Sequence, residues 1–397
     1  MSRRAAPALA RFAAWLVVCA GVSACGLDGT VLAPAAGSFG PGAGVFAGQE
    51  FTCALAGGRA RCFGANVDGA LGSGDQATHL APVAVAAAVG FDRLGAGQNH
   101  ACGLEHGTGA VWCWGYNASG QLGLGDTAGR DAPVRLPRPG AAVALAAGYN
   151  HACAVAADHA LWCWGDNTEG QLGQGDLPGA PNALAPVRVG ADSDWIGVAG
   201  GQGHTCGVRA PGTMWCWGRN TRLELAAAPS DEQVRAPTQV GTFTDWTAIV
   251  DAGQDSSCGI RSDGTLWCWG DNTFGQLGAP PETAAVAAPR QVGSQTGWVT
   301  ISVDAFAACG VRSDGGLWCW GRNAEGQLGT GDNDDRYAPA TVGAPSGWGG
   351  VSVGRFHTCA LRSGGDVACM GENSNGQLGL GDTARRNVPA TVTLPPL

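Results

Sequence analysis

The chain has 397 residues, including 67 glycines, 16 cysteines and 15 tryptophans, and its formal net charge is −9. Its strongly basic residues are all arginine, there is no lysine, and no segment after the first few residues is Lys/Arg-rich. That composition excludes a phosphate-neutralising surface, and with it nucleic acid as a partner.

In chain order, Arg3 and Arg4 precede an apolar stretch over 12–22. This is the layout of a secretory leader, and the stretch is too short for a confident membrane span. The run Val22-Ser23-Ala24-Cys25 resembles a bacterial lipoprotein processing site. The resemblance implies cleavage before Cys25 and lipid on its thiol and new amino group. Residues 1–24 are therefore read as a signal peptide, which would carry Cys19 away. Residues 25–44 read as lipidated Cys25 plus a flexible Gly/Ala/Pro tether, and 45–397 as the folded part. Gly26, standing where an Asp would favour inner-membrane retention, implies an outer-membrane lipoprotein of the cell envelope. Plain secretion after cleavage near Ala20 or Ala24 is the alternative.

The remaining fourteen cysteines fall into seven pairs: Cys53 with Cys62, Cys102 with Cys113, Cys153 with Cys163, Cys206 with Cys216, Cys258 with Cys268, Cys309 with Cys319 and Cys359 with Cys369. The first members are 49, 51, 53, 52, 51 and 50 residues apart, a period that signals a propeller or similar array. The unit 246–292 reads as four short strands separated by turns, with no helical periodicity. Its two middle strands form a hairpin in which Ser262-Asp263-Gly264 is the loop and Arg261 and Thr265 the closing pair. Cys258 and Cys268 then lie three positions from closure. In the first unit Gly57-Gly58 is the loop, closed by Ala56 and Arg59; in the second, His106 to Gly109 is the loop, closed by Glu105 and Ala110. Both cysteine pairs again lie three positions from closure. The spacing thus changes with loop length while the cross-strand register stays fixed. Directly opposed non-hydrogen-bonded positions lie about 4.5 Å apart at Cα, within disulfide reach, so one intra-hairpin disulfide per unit is expected, in an oxidising compartment. Buried free thiols are the alternative. Zinc is disfavoured, because each unit offers two ligands where a structural site takes four.

Trp-Cys-Trp occurs five times, at 112–114, 162–164, 215–217, 267–269 and 318–320. Strand side chains alternate, so both indoles face one way and the cysteine the other. Radially stacked units would bury both faces; an aromatic ligand cage is the alternative.

With these residues in hand, the chain resembles the regulator of chromosome condensation repeat family. The marks are Val198-Ala199-Gly200, His204-Thr205-Cys206, Trp164-Gly165-Asp166-Asn167 and the Gly-Gln-Leu-Gly-x-Gly-Asp loop at 120–126, 170–176, 326–332 and 376–382. The resemblance covers about 45–394 and implies an all-β, seven-bladed β-propeller. Unit one departs from the loop with Gly69-Ala70-Leu71-Gly72, and unit five follows its loop with Ala279-Pro280-Pro281. The last unit has Cys369-Met370-Gly371. Unit four carries Arg222-Leu223-Glu224-Leu225 followed by Ser230-Asp231-Glu232, read as drift or as a partner epitope. The run 390–394 is expected to pair into the first blade and seal the ring.

His100, His151, His204 and His357 occupy one position in four units. A ring spreads such positions apart, so they read as structural hydrogen bonds and not as metal ligands. Asp75, Asp126, Asp176, Asp332 and Asp382 end their loops and are expected to cap the loop backbone, with calcium binding as the alternative. No nucleophile–base pair and no phosphate-cradling loop is evident. No catalytic residue, metal site or cofactor is expected. The functional expectation is a monomeric, membrane-tethered binding scaffold presenting loops to a protein or glycan partner. The resemblance also implies two alternatives: an inhibitor of an extracellular hydrolase and, by family analogy only, a guanine-nucleotide exchange factor.

Overall fold

The computed structural model describes residues 42–175, 181–226, 233–281, 285–344 and 346–395. Cys19, Cys25, Asp176 and the Ser230–Glu232 run lie outside the described residues. The described chain forms seven four-stranded antiparallel sheets, each built from consecutive strands in order from the innermost to the outermost. The first blade comprises Gly44–Ala47, Phe51–Ala56, Arg59–Gly64 and His79–Ala84. Six further blades repeat this order, and the seventh ends on Arg386–Val392. This is the seven-bladed propeller expected from the repeat.

The hairpins have the register read from the sequence. Cys53 opposes Cys62, with Ala56 and Arg59 closing the two-glycine turn. Glu105 N donates to Ala110 O, and Arg261 N donates to Thr265 O, which fixes the longer loops. The same direct opposition holds for Cys206 and Cys216 in the fourth blade and for Cys309 and Cys319 in the sixth. Each blade carries one disulfide. Cys53 is bonded to Cys62, Cys102 to Cys113, Cys153 to Cys163 and Cys206 to Cys216. Cys258 is bonded to Cys268, Cys309 to Cys319 and Cys359 to Cys369. Cα atoms lie 4.0 to 4.1 Å apart in these pairs.

Seven apolar clusters hold the blades together, and each spans two neighbours. Cys102 and Cys113 of the second blade face Ala152, Ala154 and Trp164 of the third. Cys153 and Cys163 face Trp195 and Trp217, Cys206 and Cys216 face Trp246 and Trp269, and Cys309 and Cys319 face Trp348 and Met370. Within each Trp-Cys-Trp, the indoles therefore face the preceding blade and the disulfide faces the following one. Only the second indole is fully buried (Trp114, Trp164, Trp217, Trp269 and Trp320), and the first is half-buried. Each buried indole donates to a loop carbonyl of the preceding blade, at 2.8 to 2.9 Å. Phe63 and Met370 fill the same position in the first and last blades.

The ring does not close as expected. Arg386–Val392 pairs with Val367–Gly371 of its own blade, and Gly44–Ala47 already supplies the first blade's inner strand. With four strands present, the first blade has no vacancy for the C-terminal strand. Closure is made by side chains instead. Val45 and Phe63 join Leu361, Leu378 and Val392 in one cluster, Ala47 N donates to Ser352 Oγ at 2.9 Å, and Thr52 donates to Gln377 O at 2.9 Å.

Each outermost strand carries a proline: Pro82, Pro133, Pro186, Pro237, Pro289, Pro339 and Pro389. A proline removes an N–H donor from the edge where another strand would pair.

Candidate functional site

The recurrent residues are spent on the framework. Nε2 of His151 lies 2.9 Å from Thr205 Oγ1 of the next blade, His204 lies 2.9 Å from Ser257, and His357 lies 2.8 Å from Thr52. Burial pushes His151 and His357 down to about 4 and His100 and His204 down to about 3, so these rings are neutral at pH 7. They are distributed around the ring and do not converge. The loop aspartates turn inward: Oδ1 of Asp75, Asp126, Asp332 and Asp382 accepts the backbone N–H two residues on, at 3.0 to 3.2 Å. Each also accepts from the loop Asn: Asn66, Asn117, Asn323 or Asn373. These aspartates cap their own loops.

In unit four the substituted loop keeps this fold. Leu225 N donates to Asn220 Oδ1 at 3.2 Å, and Glu224 O accepts from both Ser257 and Trp269. The Glu224 carboxylate, fully buried, pairs with Arg219 at 2.9 Å. Leu223 and Ala226 adopt φ of 60° and 48° where other blades place glycine.

One mouth of the axial channel departs from the repeat in particular blades. The innermost strands of all seven blades line a cavity of about 120 Å³. Successive inner-strand turns place Gln49, Gln98, Tyr149, Gln202, Gln254 and Arg355 at one end of it. Tyr149 reaches across from the third blade to the sixth, its hydroxyl donating to Asp304 Oδ1 at 3.1 Å. Burial raises Asp304 to about 6 against the pull of that hydrogen bond. Deeper in, Asp251 accepts from Val303 N at 2.7 Å, and burial raises it to about 7.

A change nearby in its own blade removes one obstacle to the Asp304 side chain. Each of the four histidines has a glycine three residues before it, and a Cβ on Gly97, Gly148, Gly201 or Gly354 would collide with the imidazole. The sixth blade has Ala307 in place of histidine, so a side chain at residue 304 meets no imidazole there.

Beside this mouth lies an aromatic strip. Phe306 and Phe356 stack at 5.4 Å and 17°, and Phe274 meets Phe306 edge-on at 5.1 Å. Arg322 sits 5.4 and 5.2 Å from the centroids of Phe306 and Phe356, and Arg355 sits 5.1 Å from Phe356. All three rings are half-buried. Other blades carry Glu50, Asn99, Asn150, Gly203 and Asp255 at the position of Phe306 and Phe356. At the position of Phe274 they carry Asp68, Ser119, Glu169, Arg222, Glu325 and Asn375. Superposing the repeats in the sequence would have exposed these three exceptions.

The opposite face carries the hairpin tips. The described chain begins there, with Gly58 N donating to Gly42 O at 2.9 Å.

The profile of the regulator of chromosome condensation (RCC1) repeat matches residues 108–155, 158–208, 263–310, 314–361 and 364–396, and a second profile of the same repeat matches overlapping segments. The chain belongs to this repeat family. It is 28% identical over 281 residues to the ultraviolet-B receptor UVR8 of Arabidopsis thaliana, covering 68% of this chain and 62% of the receptor. A 114-residue stretch, 27% of this chain, is 33% identical to the probable E3 ubiquitin-protein ligase HERC4 of Rattus norvegicus but spans only 10% of that protein. The chain thus spans less than two thirds of these relatives. Its fold is similar to that of Prp20p from Saccharomyces cerevisiae, with a TM-score of 0.76 at 20% identity over 90% of this chain and 87% of Prp20p. Human WBSCR16 gives a TM-score of 0.74 at 19% identity over 85% and 94% of the two chains. At these identities the likeness is one of fold alone.

Seven disulfides place the propeller in an oxidising, non-cytoplasmic compartment. Among the described residues, no helix is long and apolar enough to cross a membrane.

Proposed function

We propose that the chain is an exported binding scaffold, tethered to the cell envelope through lipidated Cys25, that presents its inner-turn face to a partner. The observation that carries this reading is the division between a constant framework and a variable mouth. The cross-blade hydrogen bonds, indoles and disulfides recur in most blades, while the inner-turn residue before each second strand changes: Glu50, Asn99, Asn150, Gly203, Asp255, Phe306 and Phe356. Rigid scaffolds with variable loops are where recognition commonly resides. The leader-like pattern before Cys25 and the oxidised hairpins support export. Prp20p is described by its binding to Gsp1p and histones, and the relatives make a protein partner the favoured class. An exchange-factor reading rests on fold analogy alone.

The test is chemical cross-linking on intact cells, followed by purification of the full chain and mass spectrometry. A stoichiometric partner, together with an N-terminal peptide bearing diacylglyceryl on Cys25, supports the proposal. A chain recovered alone refutes the scaffold, and an unmodified Cys25 refutes the anchor.

A further inference from the structure

The mouth residues differ in how fully they are engaged within the molecule. Asp304 is held by Tyr149, Glu325 by Arg322 at 3.0 Å, and Asp255 by Arg219. Asp271 accepts from Thr273 and Gln276, both at 2.8 Å. Arg355 is the exception. Its Nε has no hydrogen-bond partner, and no carboxylate pairs with it among the described residues. It lies over Phe356, at the end of the three-ring strip.

The fold does not need these groups. Every other blade folds with a polar residue or glycine where Phe306 and Phe356 stand, and with a polar residue where Phe274 stands. Three apolar exceptions at such positions touch one another and flank a guanidinium that makes no direct ion pair among the described residues; the nearby Asp304 carboxylate feels its charge but is hydrogen-bonded to Tyr149. Aromatic residues and arginine are the side chains enriched at the centres of protein interfaces. The rings use their broad faces on each other, as the 17° stack shows. Arg322 and Arg355 lie over the same rings, so little ring face is left to stack on a sugar, which favours a protein side chain.

We infer that the Phe274–Phe306–Phe356 strip with Arg355 docks a protein segment presenting an apolar side chain next to a carboxylate. The apolar side chain covers the ring edges, and the carboxylate pairs with the Arg355 guanidinium. This rests on the scaffold reading above and adds to it a site and a partner chemistry.

The substitutions that test it are borrowed from other blades, so they suit the fold: F306N with F356N (as Asn99 and Asn150), F274S (as Ser119) and R355Q (as Gln49). Peptides are selected from a random display library on the immobilised full-length chain, then synthesised and titrated. The expected result is a family pairing Asp or Glu with an adjacent large apolar residue. Its affinity should fall at least tenfold on F306N/F356N. R355Q should weaken the acidic peptide tenfold but leave its Asp→Asn or Glu→Gln version unchanged. If F306N/F356N lowers the melting temperature, F274S with R355Q carries the same reading. No enriched family, binding indifferent to these changes, or a glycan array signal lost on F306N/F356N would each overturn the inference. A cross-linked partner retained by all the variants would overturn it while leaving the scaffold reading intact.

Discussion

Thr205 of the fourth blade grips the third at two points: its hydroxyl donates to Gln171 O at 2.8 Å and lies 2.9 Å from His151 Nε2. The hydroxyl proton is committed to the carbonyl, so the imidazole must donate through Nε2. The same arrangement recurs at His204–Ser257–Glu224 and, across the ring closure, at His357–Thr52–Gln377. Where one member changes, the seam is left incomplete. His100 faces the blade that carries Ala152 in place of Thr or Ser, and Thr358, behind Ala307, has an unpartnered hydroxyl.

Supplying the missing hydroxyl should therefore stabilise the second seam. Ala152→Thr is expected to raise unfolding free energy by about 1 kcal/mol, and Thr205→Ala to lower it by about 1–3 kcal/mol, because it strands buried polar groups. Urea denaturation of both variants measures this. An Ala152→Thr protein less stable than its parent would show that the seam has no room for the hydroxyl.

Acid should weaken the ring through the histidines. Their folded pKa values lie well below the ordinary 6.5, so the unfolded chain takes up protons first and stability falls as pH drops from about 6.5 towards 4. Asp251 and Asp304 act with the opposite sign. Their raised values make the folded state hold protons that the unfolded state has released, so they favour the fold below about 6 to 7. Four histidines outweigh two carboxyls, at roughly 1.4 kcal/mol per pH unit for each proton. Melting temperature is expected to fall between pH 7 and pH 5. His100→Phe, which copies Phe51 of the first blade, should flatten that fall by about one proton's worth.

Relief of backbone strain offers a separate check. Leu223 and Ala226 hold left-handed backbones, at a cost of about 1 kcal/mol or more each for residues with a Cβ. Leu223→Gly with Ala226→Gly is expected to gain stability, less whatever glycine's added freedom in the unfolded chain takes back. A loss in urea denaturation would mean that the Leu223 side chain contributes more than its strained backbone costs.

The disulfides should account for every array cysteine. Denatured without reductant, the chain is expected to titrate no thiol from the seven pairs. Cys258→Ala with Cys268→Ala should cost about 2–3 kcal/mol by the chain-entropy argument, or less where the hairpin persists in the unfolded chain. Free thiols in the untreated protein would contradict the pairing.

Much of this fold was legible because it repeats. The position three steps from each hairpin closure located the disulfides, and Trp-Cys-Trp alternation gave the two blade faces. The histidine at each strand start was readable as structural, although its partner in the next blade was not, since that contact spans about 50 residues. Closure of the ring was misread. The run 390–394 is a good strand, but sequence could not show that Gly44–Ala47 already occupied the inner place. The mouth was least legible. Tyr149 and Asp304 meet across the axis from blades three repeats apart, and no local pattern encodes such a meeting. Phe306 and Phe356 were visible only as departures from the repeat.

The prolines on the seven outermost strands bear on how many such molecules can share a small area. A wheel whose perimeter denies N–H donors to a neighbour can be crowded side by side at a surface without zipping into fibrils, and traffic with other molecules is steered to its flat ends.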